Sequence, residues 1–463
     1  MSRNLVAGVD SSTQSVKIVI RDSKTGELVR EARGTHPDAT EVDPLIWWNE
    51  FESKSKDLFE GVKAISIGAQ QHGMVVVDEN KNVVRDALLW NDTRSAQDAN
   101  DLITEFGGAQ NWADAIGSMP VASFTVTKLR WLAKNEPDNA KKVSGVMLPH
   151  DYLSWNLMNK PDEFVTDRGD ASGTGYWSPH TNEYRKDLLK LAFGREIQVP
   201  RVAKPNEVIG ETKSGIKIGP GSGDNMAAAL GLGAQPGDIV ISLGTSGTAY
   251  TVSSHPTNDA SGIIAGFADA TGNYLPLACT LNAARVINAG ASTLNVSLDD
   301  FAKLALNAKP GSQGLVLLPF LDGERTPNLP NSKGSLHGLT RNNLTPENFA
   351  RACIEGMLCS LAEASDYITN FGQKTKPNRV VLIGGAAVSK AVQEIAATLF
   401  EVPVHIPPMS EYVADGAARQ AAWVLSGETK PPVWEEKGSI EIKSDYKDFV
   451  RNAYRQAFDS LYK

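Results

Sequence analysis

Cysteine is scarce. The 463 residues contain three, Cys279, Cys353 and Cys359, and no C-x-x-C pair, which excludes a disulfide-built scaffold and fits a reducing compartment. The seven histidines form no H-x-x-x-H pattern or Cys/His cluster, so no zinc centre is indicated. No run approaches about 18 consecutive apolar residues, and MSRNLVAGVD leads into a strand without the apolar stretch of a signal peptide. A cytoplasmic protein is the expectation. Excess positive charge is absent too: a net charge of −8 disfavours nonspecific binding to nucleic acid or anionic membrane, while leaving open a local nucleotide cradle.

What is present is ordinary soluble composition, 41% hydrophobic and 22% charged, in a chain too long for one core. Two large domains are expected, 1–234 and 235–463, with the boundary at Gln235-Pro236-Gly237. The most informative stretch is 219–248, GPGSGDNMAAALGLGAQPGDIVISLGTSGT. Its glycines let Asp224 and Asn225 be presented from a loop at a helix start. Beyond the apolar Ile239-Val240-Ile241, the turn Gly244-Thr245-Ser246-Gly247-Thr248 offers N–H groups and hydroxyls to an anion. A base beside a phosphate cradle is a phosphoryl-transfer arrangement. A capping aspartate followed by a plain hairpin is the competing reading for either half.

Three strands are expected at Leu5–Val9, Val16–Arg21 and Leu28–Arg33. The turn Asp10-Ser11-Ser12-Thr13-Gln14-Ser15 between the first two resembles the one at 244–248, and suggests two related domains that each carry a strand-turn-strand phosphate clip. Asp10 is a candidate to orient Mg²⁺ through water, or to cap its own turn. Gln70, Gln71 and His72 follow the apolar strand Ala64–Gly68 and are placed to hydrogen-bond a polyol. Trp90 is suited to pack on a sugar's apolar face while Asn91, Asp92 and Arg94 bond hydroxyls; a core role is the alternative for the tryptophan. Residues 123–157 read as mainly helical, and the polar loop Thr166–Thr174 as surface. Thr345-Pro346-Glu347 starts a helix in which Cys353 is a core residue. The strand Arg379–Ile383 runs into Gly384-Gly385-Ala386-Ala387 and a helix from Ser389, a turn without bulk that a base or ribose can lie against. Val402–Ile406 and the helix containing Asp415 complete a βαβ pattern.

In this order the motifs Gly8–Thr13, Gln71-His72-Gly73, Leu89–Arg94, Ser222–Asn225, Ser242–Gly247, Leu318–Phe320, Gly323–Pro327 and Ile383–Ala386 resemble the FGGY family of carbohydrate kinases over nearly the whole chain. The resemblance implies an α/β fold of two actin-like, ribonuclease-H-like domains with an interdomain catalytic cleft, sugar held mainly by the first and ATP mainly by the second. It implies ATP-dependent phosphorylation of a ketopentose, D-xylulose to D-xylulose 5-phosphate, with Mg²⁺; ribulose, gluconate and glycerol are the alternative substrates. Carried over by position, Asp224 is the catalytic base, with Asp10 beside the metal. Gln71, His72, Trp90, Asn91, Asp92, Arg94 and Asn225 are the sugar candidates. Ser12, Thr13, Gly244, Thr245, Ser246, Gly247, Gly384, Gly385, Ala386 and Ser389 are the ATP candidates. The chain departs from the common pattern at Gln71, where Met often precedes the His, and after Thr280–Ala284, where a tryptophan often follows and this chain has Arg285. An actin- or chaperone-like ATP-binding switch shares the fold but has no use for Asp224-Asn225 beside a polar pocket. A homodimer is compatible with this reading.

Overall fold

Alternation decides the first sheet. In a strand successive side chains face opposite ways, and in β1 (Leu5–Ser11) Ala7 and Val9 enter one apolar cluster while Val6 enters another. The same division holds in β2 (Ser15–Asp22), with Ile18 and Ile20 against Val19, and in β4 (Val62–Ala69), with Ile65 and Ile67 against Ala64. A sheet apolar on both faces must be covered on both. The computed structural model, which describes residues 4–371, 376–435 and 437–462, shows how. One face packs on the helices Pro44–Ser55 and Pro149–Leu157 through Trp47, Phe51, Tyr152 and Trp155, and the other packs on the helix Tyr412–Ser426. Each fully buried Val or Ile of these layers contributes about 1.5–3 kcal/mol.

β1 pairs antiparallel with β2 and parallel with β4, and β2 pairs antiparallel with β3 (Leu28–Thr35). Beyond β4 the short β5 (Gly210–Glu211) and β6 (Lys217–Ile218) complete the order β3-β2-β1-β4-β6-β5, and β7 (Ser222–Gly223) also pairs with β4. The second half of the chain builds a sheet of the same design. β8 (Asp238–Leu243) and β9 (Gly247–Thr251) form a hairpin, β10 (Tyr274–Thr280) lies antiparallel beside β9, and β11 (Arg379–Ile383) runs parallel to β8. β12 (Val404–Ile406) is parallel to β11 and β13 (Ile440–Ile442) antiparallel to β12, giving β10-β9-β8-β11-β12-β13. Three antiparallel strands, two added in parallel and an antiparallel edge occur in both, as the two similar hairpins of the sequence suggest. This is the ribonuclease-H-like design.

The compact units are not the two contiguous pieces 1–234 and 235–463. One comprises Met1–Ala234, Ser254–Leu275 and Ser410–Glu435, and the other Gln235–Ser253, Pro276–Met409 and Glu436–Lys463. The cut at Gln235 is as expected, but the helix Tyr412–Ser426 belongs with β1 and β4. Its small residues Ala414, Ala418 and Ala421 allow a close approach to the sheet, and a Cβ on Gly8 would stand 2.0 Å from the Ala414 carbonyl oxygen. Arg21 of β2 reinforces the contact, its Nε donating to Asp415 Oδ1 at 2.7 Å. Residues 123–157 are less uniformly helical than their composition implies, because β-strand Gly145–Met147 separates the helices Thr125–Asn135 and Pro137–Lys142 from Pro149–Leu157. In the other unit the Pro346–Asn370 helix is capped by Thr345, whose side chain accepts from Asn348 N, and Cys353 is buried in it. Among the described residues no helix is long and apolar enough to cross a membrane.

Candidate active site

Three parallel strand ends bring the first unit's carboxylates together. Asp10 of β1 is level with Gly68 of β4, and Gly68 with Ser222 of β7, so Asp10 and Ser222 are two strand spacings apart, roughly 10 Å. The chain then turns into the helix Asp224–Gly231 with Asp224 as its first residue. Asp224 is half-buried. Its Oδ1 accepts from Asn225 N at 2.7 Å and from Asn225 Nδ2 at 2.8 Å, while Oδ2 has no hydrogen-bond partner among the described residues. Loss of hydration pushes its carboxyl up to about 7, helped by the negative charges of Asp10 and Asp170 and opposed by the Asn225 hydrogen bonds. Such a group is matched to proton transfer near neutral pH.

Asp10 is buried. Burial raises its carboxyl to about 6 against the pull of Lys17, whose Nζ lies 3.4 Å from Asp10 Oδ2 and 2.7 Å from Glu411 Oε2. Asp10 Oδ1 is a buried acceptor with no hydrogen-bond partner among the described residues.

Around these carboxylates the polar residues divide into those aimed at the site and those that build it. Gln71 Oε1 accepts from Asn225 Nδ2 at 2.8 Å, so Gln71, Asp224 and Asn225 form one connected group. Ser12 closes the β1–β2 turn by donating from N and Oγ to Ser15 O, each at 2.9 Å. Thr13 Oγ1 donates to Gln70 Oε1 at 3.4 Å and accepts from Trp90 Nε1 at 2.9 Å. Trp90 is 41% exposed. Asn91 Oδ1 is buried without a hydrogen-bond partner. Asp92 and Arg94, by contrast, are spent on their own loop. Asp92 accepts from Arg94 Nε at 2.8 Å and from Thr40 Oγ1 at 2.9 Å, and Arg94 also pairs with Glu41 and lies over the Trp131 ring. Those bonds hold the Asp92 carboxyl below its ordinary range although burial alone would raise it.

Sequence reasoning missed a charged cluster behind His72. His150 Nε2 is 3.3 Å from Asp151 Oδ1, 3.4 Å from Asp167 Oδ1 and 3.4 Å from Asp170 Oδ2, and Asp170 Oδ1 is 3.3 Å from His72 Nδ1. Burial opposes the imidazolium, but the three carboxylates outweigh it and raise His150 to about 9. Burial raises Asp170 to about 7 in turn. The segment Thr166–Thr174 that carries Asp167 and Asp170 is therefore interior, not surface. Its polarity is answered locally: Asp167 caps the Arg168–Ala171 turn, accepting from Gly169 N at 2.7 Å and Asp170 N at 3.0 Å. The available signal was His150 and Asp151, two adjacent ionisable groups inside the apolar run VMLPHDYL at 146–153.

The second unit carries the other cradle. The turn Gly244–Ser246 between β8 and β9 has its carbonyls occupied from behind, Gly244 O by Ala284 N at 2.9 Å and Thr245 O by Ala283 N at 3.3 Å. Thr245 and Ser246 are exposed and Gly247 is buried. At the end of β11, Gly384 has φ +90° and lies against the Leu243 backbone, where a Cβ would meet atoms at 2.8 Å. Gly385, next to it, has nothing within 4 Å of where a Cβ would be, and Ala386 is half-buried beside it. Ser389 precedes the helix Lys390–Ala397 and its side chain makes no capping bond. Open space over a glycine beside an exposed Gly/Thr/Ser turn fits a nucleotide.

Residues 5–233 match the N-terminal domain, and residues 239–425 the C-terminal domain, of the FGGY family of carbohydrate kinases. The chain is 45% identical over 439 residues to a protein of Streptomyces coelicolor named xylulose kinase, covering 92% of this chain and 89% of that one. It is 43% identical to the Streptomyces rubiginosus protein of the same name, covering 96% and 93%. The crystal structure of xylulose kinase from Bifidobacterium adolescentis superposes with a TM-score of 0.93 at 43% identity, over 98% of this chain and 99% of that one. With both family domains matched in order and the fold shared along the whole length, the chain belongs to the FGGY family of carbohydrate kinases.

Proposed function

We propose that this protein transfers the γ-phosphoryl group of ATP to D-xylulose, giving D-xylulose 5-phosphate and ADP. The observation that carries the reading is Asp224: a carboxylate at a helix start with Oδ1 fixed by Asn225, Oδ2 left for a substrate hydroxyl, and a pKa raised to about 7. Oδ2 takes the proton of the sugar hydroxyl as its oxygen attacks the γ-phosphorus in line, and the bond from that phosphorus to the β–γ bridging oxygen breaks. Positioning supplies much of the rate in such reactions. Gln71, His72, Asn225, Trp90 and Asn91 hold the sugar; Asp92 and Arg94 shape the loop that carries Trp90. The turns at Ser12-Thr13 and Gly244–Gly247 hold phosphate oxygens, and Gly384, Gly385, Ala386 and Ser389 border the adenosine. The unit that contains Met1–Ala234 thus serves mainly sugar, and the unit that contains Gln235–Ser253 and Pro276–Met409 mainly ATP. The choice of xylulose follows the two Streptomyces relatives, identical at 45% and 43% of positions and named for that sugar.

The unpartnered, buried Oδ1 of Asp10 fits a carboxylate kept for a hydrated cation. Mg²⁺ would be held mainly by the nucleotide, with Asp10 steadying its water shell. A cation so held would neutralise charge on the nucleotide phosphates. An ADP-release assay across xylulose, ribulose, gluconate and glycerol tests the reading. Turnover with xylulose at the highest kcat/KM is expected; preference for another of the four overturns the substrate.

A further inference from the structure

Glu324 is 1% exposed, and among the described residues its carboxylate takes hydrogen bonds only from N–H groups. Oε1 accepts from Leu281 N at 2.6 Å and from Arg325 N at 2.7 Å, and Oε2 accepts from Asn282 Nδ2 at 2.9 Å. Three donors on two oxygens suit a carboxylate, which only accepts. Asn282 Nδ2 also donates to Gly323 O at 2.7 Å, and Glu324 and Leu329 exchange main-chain N–H···O bonds, both at 2.9 Å. Leu281 and Asn282, so held, lead directly into Ala283 and Ala284, whose amides donate to Thr245 O at 3.3 Å and Gly244 O at 2.9 Å. In a planar trans peptide the C=O and the following N–H point to opposite sides. Holding the Gly244 and Thr245 carbonyls towards Ala283 and Ala284 therefore turns the N–H groups of Thr245 and Ser246 the other way, and both of these residues are exposed.

We propose that Glu324 is a positioning residue for the phosphates of ATP: through Leu281 and Asn282 it sets the Ala283 and Ala284 amides, and these aim the Thr245 and Ser246 N–H groups. This deepens the kinase reading and rests on it, because the assignment of the Gly244–Gly247 turn to phosphate belongs to that reading. Glu324 acts behind the turn, by direction and not by contact. A buried carboxylate is suited to the task because both of its oxygens are engaged, so a change of one oxygen to NH₂ is felt at the turn.

Glu324→Gln keeps size and shape, but its NH₂ group faces an N–H donor whichever way the amide is turned. Glu324→Asp keeps two acceptors on a shorter arm. Calorimetry with ATP and with adenosine, without sugar, separates aim at the phosphates from general loosening. Gln is expected to raise the Kd of ATP about tenfold and to leave that of adenosine within about twofold, with Asp between Gln and wild type. An ATP Kd within about twofold of wild type in the Gln variant, or an adenosine Kd that rises as far as that of ATP, overturns the proposal. If Gln does not fold, Asp carries the test, and wild-type affinity for ATP in Asp overturns it. Deuterium exchange reads the positioning without ligand: amides of 244–248 should exchange roughly threefold faster or more in the Gln variant, and an unchanged rate overturns the proposal whether or not ATP binds. Wild type that binds no ATP marks instead the failure of the kinase reading, and the assignment of Glu324 to phosphate falls with it.

Discussion

The indole N–H of Trp90 donates to the Thr13 hydroxyl at 2.9 Å. One hydrogen bond thereby ties the loop we assign to the sugar to the turn we assign to the phosphates, within one unit. Trp90→Phe retains an aromatic face but releases Thr13, a loss of about 1 kcal/mol. We expect the KM of ATP to rise several-fold with the sugar KM nearly unchanged, and Trp90→Ala to raise both. Initial-rate kinetics varying each substrate in turn check this; a Phe variant that raises the sugar KM as much as Ala would show that the ring face is not what the sugar uses.

A base works only when ionised, so raising its pKa moves the onset of activity to higher pH. With Asp224 raised to about 7, log(kcat/KM) should climb with unit slope below pH 7 and level off above it. Asp10 and Asp170 both contribute to that elevation, so Asp170→Asn should move the acid limb to lower pH. A profile flat from pH 5.5 to 8 would contradict the assignment.

The same shift is a stability statement. A carboxyl whose folded pKa lies above its unfolded value stabilises the fold fully below about pH 4, and that contribution is lost as pH rises to about 7. Asp224→Asn should therefore be more stable than wild type at pH 8, by on the order of 2–4 kcal/mol, and equal to it near pH 4. Thermal unfolding at the two pH values measures the difference.

Much of this was legible because it is written in local chemistry. Alternation places β1, β2 and β4, the Thr345-Pro346-Glu347 start places its helix, and Asp224 emerges at a helix start where its flanking glycines put it. What was not legible depends on partners far away in sequence. The Asp167–Asp170 segment is polar and rich in small residues, as surface loops are, and its burial is intelligible only with His150 beside it. The helix at 412–426 has the pattern of any helix that covers a sheet, and nothing local says that it serves β1 rather than the nearer β12. The partner of Asp415 is Arg21. Asp92 and Arg94 look like free sugar ligands in a row of residues, and only Glu41, Thr40 and Trp131 reveal that they are occupied.

Two glycines separate packing from ligand space. Gly8→Ala drives a methyl into the Ala414 carbonyl and should cost about 1–3 kcal/mol or more, lowering the unfolding temperature. A Cβ at Gly385 meets no atom within 4 Å, so Gly385→Val should leave that temperature within about 2 °C while raising the KM of ATP at least tenfold. Equal effects of both substitutions on stability would remove the argument that Gly385 is open for adenosine.

The central claim is that Asp224 takes the proton, and the turnover of Asp224→Asn tests it most directly. Asn keeps the shape and much of the orientation but is not a base. Loss of a general base costs on the order of 10²–10⁴ in rate, about 3–5.5 kcal/mol of barrier, while ATP binding, which we assign to the turns at Gly244–Gly247 and Gly384–Ser389, should be retained. The account predicts that Asp224→Asn binds ATP as wild type does and turns over xylulose at least 10²-fold more slowly. A variant keeping more than about a tenth of wild-type turnover, less than the smallest loss expected of a general base, would contradict it.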